Sequence, residues 1–115
     1  MKIKSREYSN GYIIFLEGIL RKSDVVRLEE RIVTLFREYG NLPILDVKEL
    51  EYIKLDSLEG LSRIERFYSS EGGVLRFTNV RKDIYDLLSL AGLSEFEVLK
   101  DIVVLHDECE TRKAV

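Results

Sequence analysis

Residues 42–61 read LPILDVKELEYIKLDSLEGL, and the fold turns on how this stretch divides. Leu42 to Val47 is a short apolar run of strand character, and residues 50–53 read as its exit loop. A helix then starts near Asp56, with Leu58, Leu61, Ile64 and Phe67 or Tyr68 at helical spacing. Asp56 is a fitting N-cap, and Asp56-x-x-Glu59 has the spacing of a capping box. The strand–turn–helix order here predicts one crossover unit of a parallel sheet.

The same logic extends in both directions. Upstream, residues 2–9 alternate loosely as an edge strand, and Asn10-Gly11 is a hairpin turn signal. Residues 12–16, YIIFL, form a buried strand that ends at Glu17-Gly18. Ser23 is a good N-cap for a helix with Val25, Leu28, Ile32 and Leu35 or Phe36 on one face, closed by Gly40. Downstream, Glu71-Gly72-Gly73 breaks the second helix and residues 74–78 form a strand. Asn79 is placed to cap a third helix carrying Ile84, Leu87, Leu88 and Ala91, which Gly92 closes. Residues 96–99 form a last short strand, and the segment from Asp101 is expected to be a C-terminal helix. The order β-β-α-β-α-β-α-β-α implies an α/β chain with a mixed, mainly parallel sheet and about four helices in a single domain, 1–115.

Composition narrows the function. The chain has 115 residues, 45% apolar and 34% charged, which fits a globular domain. Its net charge of −3 offers no electrostatic basis for nucleic-acid binding. The longest purely apolar run is residues 12–16, too short to span a bilayer. With no signal-peptide pattern and one cysteine, Cys109, a cytoplasmic protein is expected. Abundant Lys, Arg and Glu with no Gln point to a heat-adapted source.

Machinery for catalysis is absent from the sequence. It holds no phosphate-binding GxxxxGK[ST] loop, no GxGxxG turn and no GxSxG elbow. His106 is the only histidine, so a metal site or a triad lacks its partners. Asp46 at a strand end resembles the phosphoacceptor of response-regulator receivers. Those need an acidic pair after the first strand, where Glu17-Gly18 stands here, and Lys54 lies too near to serve as their distant lysine. No enzyme activity, cofactor or metal is expected.

The motifs taken together resemble STAS domains, the fold of bacterial anti-sigma factor antagonists, over about residues 5–105. They are FLEG at 15–18, PILDVKELEYI at 43–53, a helix starting at 56–58, EGG at 71–73 and IYDLLSLAGLSEFEV at 84–98. The resemblance implies a STAS-like sandwich and a protein partner, an anti-sigma factor kinase that phosphorylates a serine at the start of the second helix. In that family the motif reads D-S-S-G-L-G with the second serine modified. Laid on it, Lys54 replaces the acidic residue, Leu55 the first serine and Asp56 the phosphoacceptor. Ser57 and Glu59 replace the two glycines. The family's GELD loop reads Gly18-Ile19-Leu20-Arg21, so Arg21 replaces an acidic residue.

Asp56 and Ser57 are therefore the candidate regulatory residues. Arg21, Lys22, Lys54, Asp56, Ser57 and Glu59 are the candidate partner-binding residues. A carboxylate at 56 carries one negative charge where phosphoserine would carry about −1.5 to −2. Ser57 beside it is a second candidate for phosphorylation at the helix N-terminus. The resemblance also leaves two alternatives, an accessory STAS subunit of a lipid or anion transporter and a stress-signalling scaffold. Exposed strand edges make a homodimer a further expectation.

Overall fold

A computed structural model describes residues 1–8, 11–93 and 96–99. The expected Asn10 turn, the end of the first strand at Ser9, the C-terminal helix from Asp101, and His106 and Cys109 lie outside the described residues.

The chain runs β1 (Lys2–Tyr8), β2 (Gly11–Leu20), α1 (Lys22–Tyr39), β3 (Ile44–Asp46), β4 (Leu50–Ile53), α2 (Leu58–Ser70), β5 (Leu75–Thr78), α3 (Lys82–Leu90) and β6 (Phe96–Leu99). A short 3₁₀ turn, Leu55–Ser57, joins β4 to α2. The sheet order is β1-β2-β3-β5-β6, with β4 joined to β2. Only β1 is antiparallel to its neighbour; β2, β3, β5 and β6 pair in parallel. The sheet is mixed and mainly parallel, as the alternation of strands and helices predicts. Three α-helices are present among the described residues, and the fourth expected one falls in the segment that is not described.

All three helices cover one face of the sheet. Their apolar stripes (Val25, Leu28, Ile32 and Leu35 of α1; Leu61, Ile64 and Tyr68 of α2; Ile84 and Leu88 of α3) close on Ile14, Leu16, Leu45, Val47, Leu75 and Phe77. The period-2 alternation of strands sends Ile13 and Ile44 to the opposite face, where they group with Tyr8, Phe15 and Leu99. No helix of the described residues is long and apolar enough to cross a membrane.

Residues 50–53 are a strand and not the exit loop that their sequence indicates. Their Leu-Glu-Tyr-Ile pattern buries only the two ends, so it lacks the alternation of a half-buried strand. A long-range constraint decides the matter. Strand β2 is 10 residues long, whereas β3 is 3. Strand β3 covers only Ile13 to Phe15, and β4 pairs in parallel with the remaining end, Gly18 to Leu20. Strand β2 accordingly runs through Glu17-Gly18, where it was expected to end. Gly18 makes this continuation feasible: its φ of 108° lies where a side chain is strained, and the β2–β4 register shifts between Gly18 and Ile19.

Two helix starts also differ from expectation. Arg21, not Ser23, is the N-cap of α1, and its backbone N–H donates to the Asp24 carboxylate at 2.9 Å. Buried Asp24 thereby supplies the acidic N3 group that satisfies a helix-end donor. Arg81, not Asn79, is the N-cap of α3. Asn79 sits at φ 58° and its amide donates to Asp46 Oδ2 at 3.0 Å. Gly40 closes α1 as expected, with its N–H donating to the Phe36 carbonyl at 2.8 Å.

Tyr68 ties α2 to the start of β3: its hydroxyl, fully buried, donates to the Pro43 carbonyl at 2.6 Å. Burial raises the Tyr68 phenol above its ordinary value, and Arg76 offsets this only in part. A phenol whose folded pKa is raised stabilises the fold fully below the unfolded value of about 10 and loses that contribution as the pH climbs towards the folded value. Tyr68→Phe should cost about 1–3 kcal/mol near neutral pH, because the Pro43 carbonyl is left buried without its donor. It should also flatten the fall in stability above pH ~10. Urea denaturation from pH ~8 to ~11 checks both effects, and Tyr8 and Tyr12, also raised, contribute to the slope that remains.

Candidate functional site

The parallel pair β2–β4 brings two chain segments to one place. Leu20 and Ile53 are paired at the ends of the strands, and the Lys54 N–H donates to the Leu20 carbonyl at 2.9 Å. The next residues on one side are Arg21 and Lys22, the start of α1. On the other side they are Lys54 to Ser57 and the start of α2. The candidate residues of both segments therefore leave the sheet side by side.

Lys22, Asp56, Ser57 and Glu59 line one depression of about 70 Å³, together with Val25, Val26, Gly60 and Arg63. Arg21 and Lys54 are exposed neighbours in the chain but do not line it. Sequence reasoning missed the α1 wall, Val25 and Val26, and the contributions of Gly60 and Arg63. Lys22 to Val26 and Glu59 to Arg63 are each i,i+4, so helix periodicity was the available signal once Lys22 and Glu59 had been chosen.

Asp56 is not the N-cap of α2. The 3₁₀ turn begins at Leu55, Ser57 holds the N-cap position, and neither end makes a side-chain capping bond. The Asp56–Glu59 capping box is not formed. Leu55 to Ser57 already have helical hydrogen bonding, with the Ser57 N–H donating to the Lys54 carbonyl at 3.0 Å, so the turn starts before Asp56 can cap it. The Asp56 side chain is exposed, and among the described residues it makes no hydrogen bond or ion pair.

Ser57 has the opposite character. It is only 1% exposed, and its hydroxyl donates to the Lys54 carbonyl at 2.6 Å. That bond satisfies a buried hydroxyl and holds the turn closed. Of the two candidate regulatory residues, one presents a solvated carboxylate and the other a hydroxyl engaged inside the turn.

The floor of the depression is set by a close approach of α1 and α2. A methyl group at position 60 would overlap Val25 Cγ1, and Val25 is buried in the core. Arg63 of α2 reaches Glu29 of α1 at 3.8 Å, bridging the two helices beside the depression. Among the described residues no group of three His, Cys, Asp or Glu side chains is placed to hold a metal ion.

Gly60→Ala should force α1 and α2 apart and cost roughly 1–3 kcal/mol, the usual range for overpacking a close-packed contact. Asp56→Ser, which removes an exposed group without a bond, should change stability by no more than about 0.5 kcal/mol. Thermal or urea melts of the two variants check this contrast. A large loss for Asp56→Ser would mean that the carboxylate supports the helix after all.

The sequence matches no protein-family model, and no curated protein matches it. Solved structures do. The chain is similar to the anti-sigma factor antagonist SpoIIAA in its unphosphorylated form, with 12% identity and a TM-score of 0.68 over 98% of both chains. It is similar to a variant of Moorella thermoacetica RsbS in which glutamate replaces a serine, with 13% identity and a TM-score of 0.72 over 100% of both chains. It is also similar to part of the murine anion transporter Slc26a9, with 17% identity and a TM-score of 0.61, covering 93% of this chain and 16% of that one. The fold of this chain is that of the STAS domains, the one its sequence motifs resemble.

Proposed function

We propose that this protein is a non-enzymatic regulator of the anti-sigma factor antagonist type, which docks a protein partner on the depression between α1 and α2. The partner is an anti-sigma factor kinase, and Asp56 provides a constant negative charge at the position where the family carries a reversible one. The observation that supports this most is the state of Asp56: an exposed carboxylate with no bond inside the described chain, in a depression shared with Lys22, Ser57 and Glu59. A carboxylate that neither caps a helix nor pairs contributes little to stability, which leaves its charge available for recognition. One negative charge is weaker than a phosphate, so Asp56 sets a fixed intermediate affinity in place of an on–off switch. The engaged hydroxyl of Ser57 favours the same view, since a kinase would have to open the turn to reach it.

Docking through this depression also accounts for Lys22 and Glu59. A rim with both signs of charge selects a partner by register and raises encounter rates more than it adds affinity. Arg21 and Lys54, exposed at its margin, belong to the outer part of the contact, where salt has the greatest effect. The likeness to part of an anion transporter supports a second reading, in which the domain is an accessory subunit of a transport system.

Capture of binding proteins from the source organism, with wild type and Asp56→Ser as parallel baits and mass spectrometry as the readout, separates the readings. An anti-sigma-type kinase is expected on wild type, with affinity for the two baits differing by roughly tenfold or more for a charge at the centre of the contact. Equal binding of that kinase to both baits would remove Asp56 from the interface. A transporter subunit in its place would establish the second reading.

A further inference from the structure

The sheet has a second face, on which none of the three helices lies. Tyr8, Ile13 and Ile44 are buried there, with Phe15 and Leu99 packed against them, and no helix residue belongs to this group. Ile13 is 0% exposed and Ile44 2%. Asp46 and Thr78, placed on the same face by strand alternation, are buried as well. Neighbouring strands shield the flanks of a side chain that stands on a sheet, but its tip is closed off only by a second layer. Among the described residues no element forms that layer.

The chain itself continues from this face. The strand register puts Lys4, Phe15, Asp46, Thr78 and Leu99 in one row across the sheet, from β1 to β6. Leu99 ends β6 with its side chain in the apolar group. After Lys100 and Asp101 comes a fresh apolar run, Ile102-Val103-Val104-Leu105. Even wound as a helix, about 15 residues reach roughly 22 Å. The interstrand steps from β6 to β1 span roughly 19 Å, so the segment is long enough to cross. At the far edge, β1 turns Lys2, Lys4 and Arg6 to this face. Glu17 stands opposite Lys2, whereas Lys4 and Arg6 stand opposite Phe15 and Ile13. Arg31 and Glu49, bordering the same region, offset each other, and Asp46 is engaged by the Lys48 N–H and the Asn79 amide. The basic charge therefore concentrates at Lys4 and Arg6. In the sequence Asp107, Glu108 and Glu110 follow the apolar run.

We infer that residues 101–115 of this chain fold back over the second face of the sheet, seat residues 102–105 on Ile13 and Ile44, and bring the acidic run to Lys4 and Arg6. The sheet then has a layer on each side, which accounts for the burial of Ile13 and Ile44. Closing this face also withdraws its apolar surface from contact with other molecules and confines docking to the side of α1 and α2.

Methyl nuclear Overhauser spectra of the full chain test the inference. Contacts are expected between the methyls of residues 102–105 and those of Ile13, Ile44 and Leu99. A mixture of two isotope-labelled samples separates contacts within one chain from contacts between copies. Lys4→Glu/Arg6→Glu should weaken the contacts, since it sets like charges against the acidic run. The variant Ile102→Asn/Val103→Thr/Val104→Thr/Leu105→Asn should lose them. In that variant a soluble paramagnetic agent should relax the Ile13 and Ile44 methyls several times faster, while Ile14 and Leu45 on the helix side stay unchanged. The inference is overturned if residues 102–105 touch the helix side or nothing, or if the contacts arise only between copies. It is equally overturned by contacts indifferent to the charge reversal, or by Ile13 and Ile44 methyls as shielded in the variant as in the wild type. Because the wild-type contacts are read directly, a variant that does not fold leaves the test intact. The outcome of partner capture has no bearing on any of these results.

Discussion

The parallel pairing of the end of β2 with β4 is the constraint on which the rest of this structure depends. Strand β2 is longer than the neighbour that covers its first half, and an uncovered strand end would leave backbone groups unpaired in the interior. The chain meets this requirement by returning to β2 after a short jog at residues 47–49. Within the jog the Val47 N–H donates to the Thr78 carbonyl and the Gly18 N–H to the Glu49 carbonyl, both at 3.1 Å. Gly18 absorbs the change of register. Arg81 steadies the far side, donating to the Lys48 carbonyl at 3.0 Å and the Leu50 carbonyl at 2.6 Å.

The site follows from that pairing. Two parallel strands ending level must release their chains at the same edge of the sheet, so the first turn of α1 and the turn leading into α2 become neighbours. Gly60 then lets the helices close on Val25, and the Ser57 hydroxyl locks the turn to the Lys54 carbonyl. What remains outside is charge: Lys22 from one segment, and Asp56, Glu59 and Arg63 from the other. Apolar and backbone groups build this region, and Lys22, Asp56 and Glu59 form no ion pair among the described residues. The proposed docking role draws on that division, since it uses surface groups that the fold does not consume.

Several features were legible in the sequence because they are local. The stripes of α1, α2 and α3 obey helical spacing, Gly40 stops α1, and residues 74–78 and 96–99 read as short strands, which the structure has at Leu75–Thr78 and Phe96–Leu99. The alternation of these elements indicates a mainly parallel sheet, and the resemblance of the motifs adds the STAS-like order. The candidate residues Lys22, Asp56, Ser57 and Glu59 were also chosen from the sequence, through the resemblance, and the structure gathers them in one depression.

Tertiary structure alone decided the remainder. Strand β4 is short and has no alternation of its own; its state is set by the unpaired end of β2, more than thirty positions earlier in the chain. A capping role is likewise read from residue type, but three candidates failed for a non-local reason. Ser23 yields to Arg21 because α1 must begin as soon as β2 ends. Asn79 is drawn to Asp46 across the sheet. Asp56 lies inside a turn that has already begun at Leu55. The wall formed by Val25 and Val26 belongs to a different helix from the motif it faces, and only packing brings it there. Sequence determines which segments are helical and which side chains seek burial, since those depend on neighbours a few residues away. Which carboxylate is left free, and which hydroxyl is enclosed, depends on how distant segments pair and close.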